Sequence, residues 1–169
     1  LISLPSPDET ARAKPKEQVS MEFLKGSKSK RMEFMVVSAN GFGFRFPLTN
    51  LAETTRSGRK IMNLKNDDRM LGFAAVTEKY IFLATEKGKA LVIATEQGTQ
   101  LTGSGKGVLL MKPGESKLIG FKFVSLKGKI KLVFDSGKDK DITVKSVRLC
   151  NRGSQGVIVS KRKILLKIK

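Results

Sequence analysis

The chain has 169 residues, 40% of them hydrophobic, with 33 Lys plus Arg against 15 Asp plus Glu for a net charge of +18. That length is ordinarily one domain and that hydrophobic share supports a core, so global disorder is excluded. So large a positive excess repels itself unless a polyanion or counterions screen it, and nucleic acid is the partner it favours.

Residues 1–18 are polar and carry Pro5, Pro7 and Pro15, so they read as a linker or the tail of a preceding element. Val19–Leu24 reads as a strand, and Gly26-Ser27-Lys28-Ser29-Lys30 as a basic turn. From there short strands follow one another. Met32–Val37 meets a turn at Ala39-Asn40-Gly41 and returns as Phe42–Phe46; Leu48–Thr55 has room for one helical turn. A strand opening at Ile61 and another over Met70–Val76 complete the unit. Tyr80–Ala84, Gly88, Ala90–Ala94, Val108–Met111 and Lys117–Val124 repeat the order. Lys129–Phe134, Gly137, Asp141–Lys145, Val157–Val159 and Ile164–Ile168 repeat it again.

The turn glycines Gly41, Gly88 and Gly137 are 47 and then 49 residues apart, and twenty residues after each an apolar run opens at Ile61, Val108 or Val157. Four strands per unit of that length predict an all-β, propeller-like array, with repeats over 31–76, 77–125 and 126–169. Closed propellers take about four to eight blades, so three units read as part of a larger ring or open spiral.

Ahead of each apolar run lies a Gly-rich polar box: Thr54-Thr55-Arg56-Ser57-Gly58-Arg59-Lys60, Leu101-Thr102-Gly103-Ser104-Gly105-Lys106-Gly107 and Cys150-Asn151-Arg152-Gly153-Ser154-Gln155-Gly156. Glycine lets backbone approach a phosphate, and N–H groups with Arg or Lys supply positive donors. Equally, such loops can be Gly-rich for turn geometry alone. Gly103-Ser104-Gly105-Lys106-Gly107 is no Walker A loop, because Gln100 stands where a Gly is required and Gly107 where Ser or Thr is required. Alternation puts Phe42, Phe44 and Phe46 on one face and Arg45 on the other, pointing outward. Expected phosphate contacts are Arg45, Arg56, Arg59, Lys60, Lys106, Lys112, Arg152, Lys161 and Arg162.

Asn40-Gly41-Phe42-Gly43-Phe44-Arg45-Phe46-Pro47-Leu48, Thr102-Gly103-Ser104-Gly105-Lys106-Gly107-Val108 and Met62-Asn63-Leu64-Lys65-Asn66-Asp67-Asp68, in their repeating context over 19–169, resemble the C-terminal domain of the A subunit of bacterial type IIA topoisomerases. The resemblance implies a β-pinwheel whose blades exchange a strand and whose basic rim binds and bends duplex DNA. It also implies, as partners, the rest of an A subunit with, through it, an ATPase B subunit, in the bacterial cytoplasm at the nucleoid. The gyrase-type box Q-R-R-G-G-K-G is not preserved. Its nearest remnants are Arg56, Gly58 and Arg59, then Gly105, Lys106 and Gly107, then Arg152 and Gly156, a degeneracy more like topoisomerase IV.

No residue pattern calls for catalysis or a cofactor. The chain has no His, and its one tyrosine, Tyr80, sits within a strand pattern. Asp67-Asp68 reads as a solvated turn, and Cys150, the lone cysteine, as a small buried residue that fits a reducing cytosol. No apolar run approaches the roughly 20 residues that span a bilayer, no signal-peptide pattern is read, and no long amphipathic helix gathers the charge on one face. Two rival readings remain: a propeller that docks an acidic protein, and a single-strand or RNA-binding β module with exposed stacking aromatics.

Overall fold

The computed structural model describes residues 32–52, 56–65, 67–161 and 164–169, all within the unit Arg31–Lys169. The expected linker over 1–18, the strand Val19–Leu24 and the basic turn after it lie outside the described residues. In chain order the first strands are β1 (Glu33–Ser38), β2 (Phe42–Pro47) and β3 (Met70–Ala75), with a one-turn helix α1 (Thr49–Ala52) after β2. Then come β4 (Tyr80–Thr85), β5 (Lys89–Ala94), β6 (Val108–Leu109) and β7 (Leu118–Val124). The last are β8 (Lys129–Phe134), β9 (Asp139–Thr143), β10 (Val157–Ile158) and β11 (Leu165–Ile168).

Each hairpin is closed by the same local chemistry. Gly41, Gly88 and Gly137 take φ of 87°, 75° and 69°, which a side chain would strain, and each donates its N–H to the carbonyl three residues back. In the first two hairpins a buried hydroxyl, Ser38 Oγ or Thr85 Oγ1, accepts the N–H of Phe42 or Lys89. Phe134 occupies that place in the third.

The sheets do not follow the order of the sequence. Their strand orders are β3-β1-β2-β6, β10-β5-β4-β7 and β11-β8-β9. The two-residue strands after the second and third boxes therefore leave their own hairpins and pair with the preceding ones, Leu109 opposite Phe42 and Val157 opposite Ala90. Among the described residues the third sheet has three strands, not the four expected of every repeat; in the first two sheets the fourth strand, β6 or β10, comes from the following repeat.

The apolar residues of sheet two explain the stacking. Ile81 and Leu83 of β4 pack with Met35 and Val37 of β1, while Phe82 and Ala84 pack with Ile130 and Leu132 of β8. All eight are buried. A central strand apolar on both faces lies between two neighbours. The other face of sheet one holds Val36, Phe44, Phe46 and Met62.

Three expectations change. The run from Ile61 forms no strand; it contributes one bridge, Met62 to Gly105. The returning strand of the third hairpin is Asp139–Thr143 and not Asp141–Lys145, because the turn at Gly137 starts the ladder at Val133 opposite Asp139. Val144–Ser146 instead turn into a short 3-10 segment. Finally, the structural match is Gly58, Gly107 and Gly156, each at φ between 74° and 83°. Met62 thus corresponds to Met111, so Ile61 is not the equivalent of Val108, and the first repeat is two residues shorter between turn and box.

Candidate nucleic-acid interface

The boxes lie where the exchanged strands begin, and the exchange places them in series. Met62 bridges to Gly105 and Met111 to Ser154, both in parallel sense. Asn63 donates its N–H to Gly105 O at 2.8 Å, and Lys112 donates to Ser154 O at 3.0 Å. The segment leaving the first box is thereby tied to the second box, and the strand leaving the second box to the third.

Crossing over requires close backbone contact. The turn carbonyl of Gly41 accepts the N–H groups of Leu110 and Met111, and that of Gly88 accepts those of Val159 and Ser160. A Cβ on Gly107 would lie 2.3 Å from Gly43 O, and one on Gly156 2.3 Å from Ala90 O. Box glycines two and three are therefore packing requirements. At Gly58 an added Cβ meets nothing within 4 Å.

Along this series Arg56, Arg59, Lys60, Lys112, Arg152 and Lys161 are exposed. Lys106 is half-buried, its Nζ 3.9 Å from the centre of the Phe42 ring. That cation–π contact holds the ammonium of box two against the hairpin of sheet one. Phe42 is half-buried in the process, and Phe44 and Phe46 are buried, so the aromatic face is core. Arg152 donates its backbone N–H to Gln97 Oε1 at 2.6 Å, which fixes box three against the end of β5. Arg162 lies outside the described residues.

Arg45 corrects its expectation. It leaves the aromatic face, as alternation requires, yet does not point outward. Its Nη1 is 2.9 Å from Glu33 Oε2, its Nε donates to Gly98 O at 2.9 Å, and the two paired side chains are 19% and 24% exposed. The equivalent position in sheet two is Val92, fully buried. A guanidinium placed in a sheet-to-sheet contact needs such partners because desolvating it alone is costly. Arg45 is a clamp between the first two repeats.

Two features were not anticipated. Beside box three lies a cleft of about 600 Å³ whose polar lining comes from Gln97, Arg148, Asn151, Ser154 and Gln155. Its donors were hard to see because Arg148 and Gln97 are 51 residues apart. Second, Asp67 and Asp68 are structural: Asp68 Oδ1 accepts the N–H of Asn40 at 2.9 Å, and Asp67 Oδ2 is 3.3 Å from Asn40 Nδ2 and 3.4 Å from Lys117 Nζ. The Asn40 hydrogen bond and then Lys117 hold the Asp67 carboxyl below its ordinary value of 3.8. Among the described residues no group of three or more His, Cys, Asp or Glu could hold a metal ion, and no helix is long and apolar enough to cross a membrane. Cys150 is half-buried, not fully buried, with its N–H on Val92 O.

The model of the family described as DNA gyrase C-terminal domain, beta-propeller, matches residues 33–77, 79–98 and 142–164. The A subunit of DNA topoisomerase 4 from Streptococcus pyogenes serotype M1 is 29% identical over 90 residues, which is 50% of this chain and 11% of that relative. The serotype M3 (strain SSI-1) protein matches to the same extent. Three solved structures share the fold. The C-terminal domain of DNA topoisomerase IV has TM-score 0.72 at 21% identity, over 82% of this chain and 46% of that one. The DNA gyrase A C-terminal domain has TM-score 0.74 at 19% identity, over 82% and 50%. The E. coli ParC C-terminal domain has TM-score 0.69 at 16% identity, over 84% and 61%. The chain thus spans about a tenth of the full-length relatives it matches and about half of the solved domains.

Proposed function

The chain belongs to the DNA gyrase C-terminal domain, beta-propeller, family, and from that premise we propose that it is a non-catalytic domain of a type IIA topoisomerase A subunit that binds and bends duplex DNA. The observation that carries this reading is the serial linkage of the boxes, Met62 to Gly105 and Met111 to Ser154; on this reading their cations form one row. Arg56, Arg59, Lys60, Lys106, Lys112, Arg152 and Lys161 are the phosphate contacts on that row. Arg162 is retained as a contact on sequence grounds, and Arg45 is reassigned to holding the repeats together.

Cations on a row displace phosphate counterions, so affinity is independent of base sequence and falls steeply with salt. Box backbone N–H groups add neutral donors at the same phosphates. A duplex that follows the row past several boxes must bend. That bend costs a few kcal/mol, offset by the added contacts. The bent segment is presented to a strand-passage core in the rest of the A subunit, working with an ATPase B subunit in the bacterial cytoplasm. The degenerate boxes favour the topoisomerase IV type of this domain.

The test is fluorescence anisotropy with duplex and single-stranded DNA of equal length across a salt series. Eight contacts predict a log–log slope of about −7 for duplex and tighter binding to duplex than to single strands. Absence of binding at low salt, or a single-strand preference, overturns the proposal.

A further inference from the structure

A lysine joins each of the second and third boxes to the hairpin beside it, and it comes from opposite sides in the two. Phe42 and Lys89 hold the same place, each the first residue of a returning strand, with its N–H accepted by the hydroxyl of Ser38 or Thr85. Lys106 and Gln155 also correspond, each standing just ahead of a positive-φ glycine, Gly107 or Gly156. At box two the box supplies the cation, with Lys106 Nζ 3.9 Å from the centre of the Phe42 ring. At box three the hairpin supplies it, with Lys89 Nζ donating to Gln155 Oε1 at 3.3 Å. The residue types have exchanged sides, and an ammonium stands between hairpin and box in both.

Neither partner neutralises its lysine. An aromatic face attracts an ammonium without accepting its N–H groups in conventional bonds, and an amide oxygen takes one of the three donors of Lys89. Neither Lys89 nor Lys106 makes an ion pair among the described residues. The exchanged strand is already held by its backbone, since Val157 pairs with Ala90, and Val159 and Ser160 donate to Gly88 O.

There is also room beside Gln155. It lines the cleft of about 600 Å³ at box three together with Arg148, and none of the lining residues is a carboxylate. The cleft has a local cause. In box two Leu101 reaches across the loop, so that a Cβ on Gly105 would lie 2.5 Å from Leu101 Cδ1. The bridges Arg45–Gln100 and Val92–Leu149 make Cys150 the counterpart of Leu101, and its shorter side chain leaves that space open. The cleft lies between Ala94 and Gln97 of the second repeat and Arg148–Val157 of the third, so described residues of two repeats wall it. A recess without acids, beside a lysine with two donors to spare, suits a phosphate oxygen.

We propose that Lys89, held by Gln155, is a phosphate contact at the box-three recess, filling from the hairpin the role that Lys106 fills from box two. This rests on the duplex-binding reading above and deepens it: the contact set includes a cation that lies outside the boxes.

The experiment is anisotropy of the full chain with duplex DNA across a salt series, with Lys106→Gln as the reference for a row contact. Lys89→Gln should flatten the log–log slope by about 0.9, the share of one phosphate contact, as Lys106→Gln does. Lys89→Met, which keeps the alkyl stem without the charge, should flatten it equally. The exchange Lys89→Phe/Gln155→Lys writes the box-two arrangement into box three and should keep the slope of the unchanged chain. Melting temperatures like that of the unchanged chain show that the variants are folded. An unchanged slope in Lys89→Gln and Lys89→Met, beside a flattened one in Lys106→Gln, makes Lys89 a structural tie and overturns the proposal with the row reading intact. An exchange variant as flat as Lys89→Gln overturns the equivalence of the two arrangements and the proposal with it. No duplex bound by the unchanged chain at low salt removes the row reading and this one together.

Discussion

Gly58 and Gly107 hold equivalent places at the box-to-strand junction, yet alanine should act very differently at the two. Both sit at positive φ, 83° and 74°, so each substitution carries the left-handed penalty of about 1–2 kcal/mol. At Gly58 that is the whole effect, because the new Cβ meets nothing within 4 Å. At Gly107 the Cβ would stand 2.3 Å from Gly43 O, 2.6 Å from Gly43 C and 2.9 Å from a carbon of the Phe44 ring. Those are backbone and core atoms held in β2, so the exchanged strand must lift away. Lifting it breaks the pairs Phe42–Leu109 and Gly43–Val108 and the two bonds to Gly41 O, and draws out Leu110 and Met111, both fully buried. Partial exposure of two such side chains costs about 3 kcal/mol, for a total of about 4–5 kcal/mol at Gly107. With roughly 2–4 °C per kcal/mol for a chain of this size, Gly58→Ala should lower Tm by about 5 °C and Gly107→Ala by about 10–20 °C. Urea titrations followed by circular dichroism give the same comparison as free energies. Equal losses from the two substitutions would refute the view that the exchanged strand depends on close backbone approach at Gly107.

Arg45→Ala should destabilise the fold by about 1–3 kcal/mol, read in the same titrations, because it takes the guanidinium from Gly98 O and from Glu33, which keeps only the Gln100 hydrogen bond to its side chain; DNA affinity of the folded fraction should stay within twofold. Replacing Arg56, Lys106 and Arg152 by Gln should flatten the log–log salt slope by about 2.7, at roughly 0.9 per phosphate contact; an unchanged slope removes these three from the contact set. Asp67 has a folded pKa below its ordinary 3.8, so its contribution to stability is fully present above that value and fades as pH falls through the lower folded value. A carboxyl NMR titration should place its midpoint under 3.8 and return it toward that value in Asn40→Ala, since the Asn40 hydrogen bond is the largest cause of the shift.

The hairpins were legible because their causes are local. Phe42-Gly43-Phe44-Arg45-Phe46 alternates with period two and follows a glycine that alone takes the turn's φ without strain. Tyr80–Thr85 was readable as a short, continuously apolar run closed by the turn at Gly88, and Lys129–Phe134 by its alternation ahead of Gly137. The boxes were legible as Gly-rich cationic loops. Matching Ile61 to Val108 was an error of register, since the onset of apolar residues suggested one alignment and the hydrogen bonds of Asn63 and Lys112 impose another.

What the sequence determined, then, is a repeated, basic, all-β chain, because turn glycines, alternation and net charge act within a few residues or over the whole molecule. The tertiary structure alone decided where β6 and β10 pair: a two-residue strand has no period of its own, and its partner hairpin lies more than sixty residues away. That pairing tied the boxes to one another in series. Stacking likewise decided the two fates of charged residues among strand apolars. Arg45 is held, largely covered, against Glu33 and Gly98 O, while Lys129 and Lys131 are exposed. Whether a charge on a strand is a clamp or a contact depends on what lies over it, and strand sequence does not carry that information.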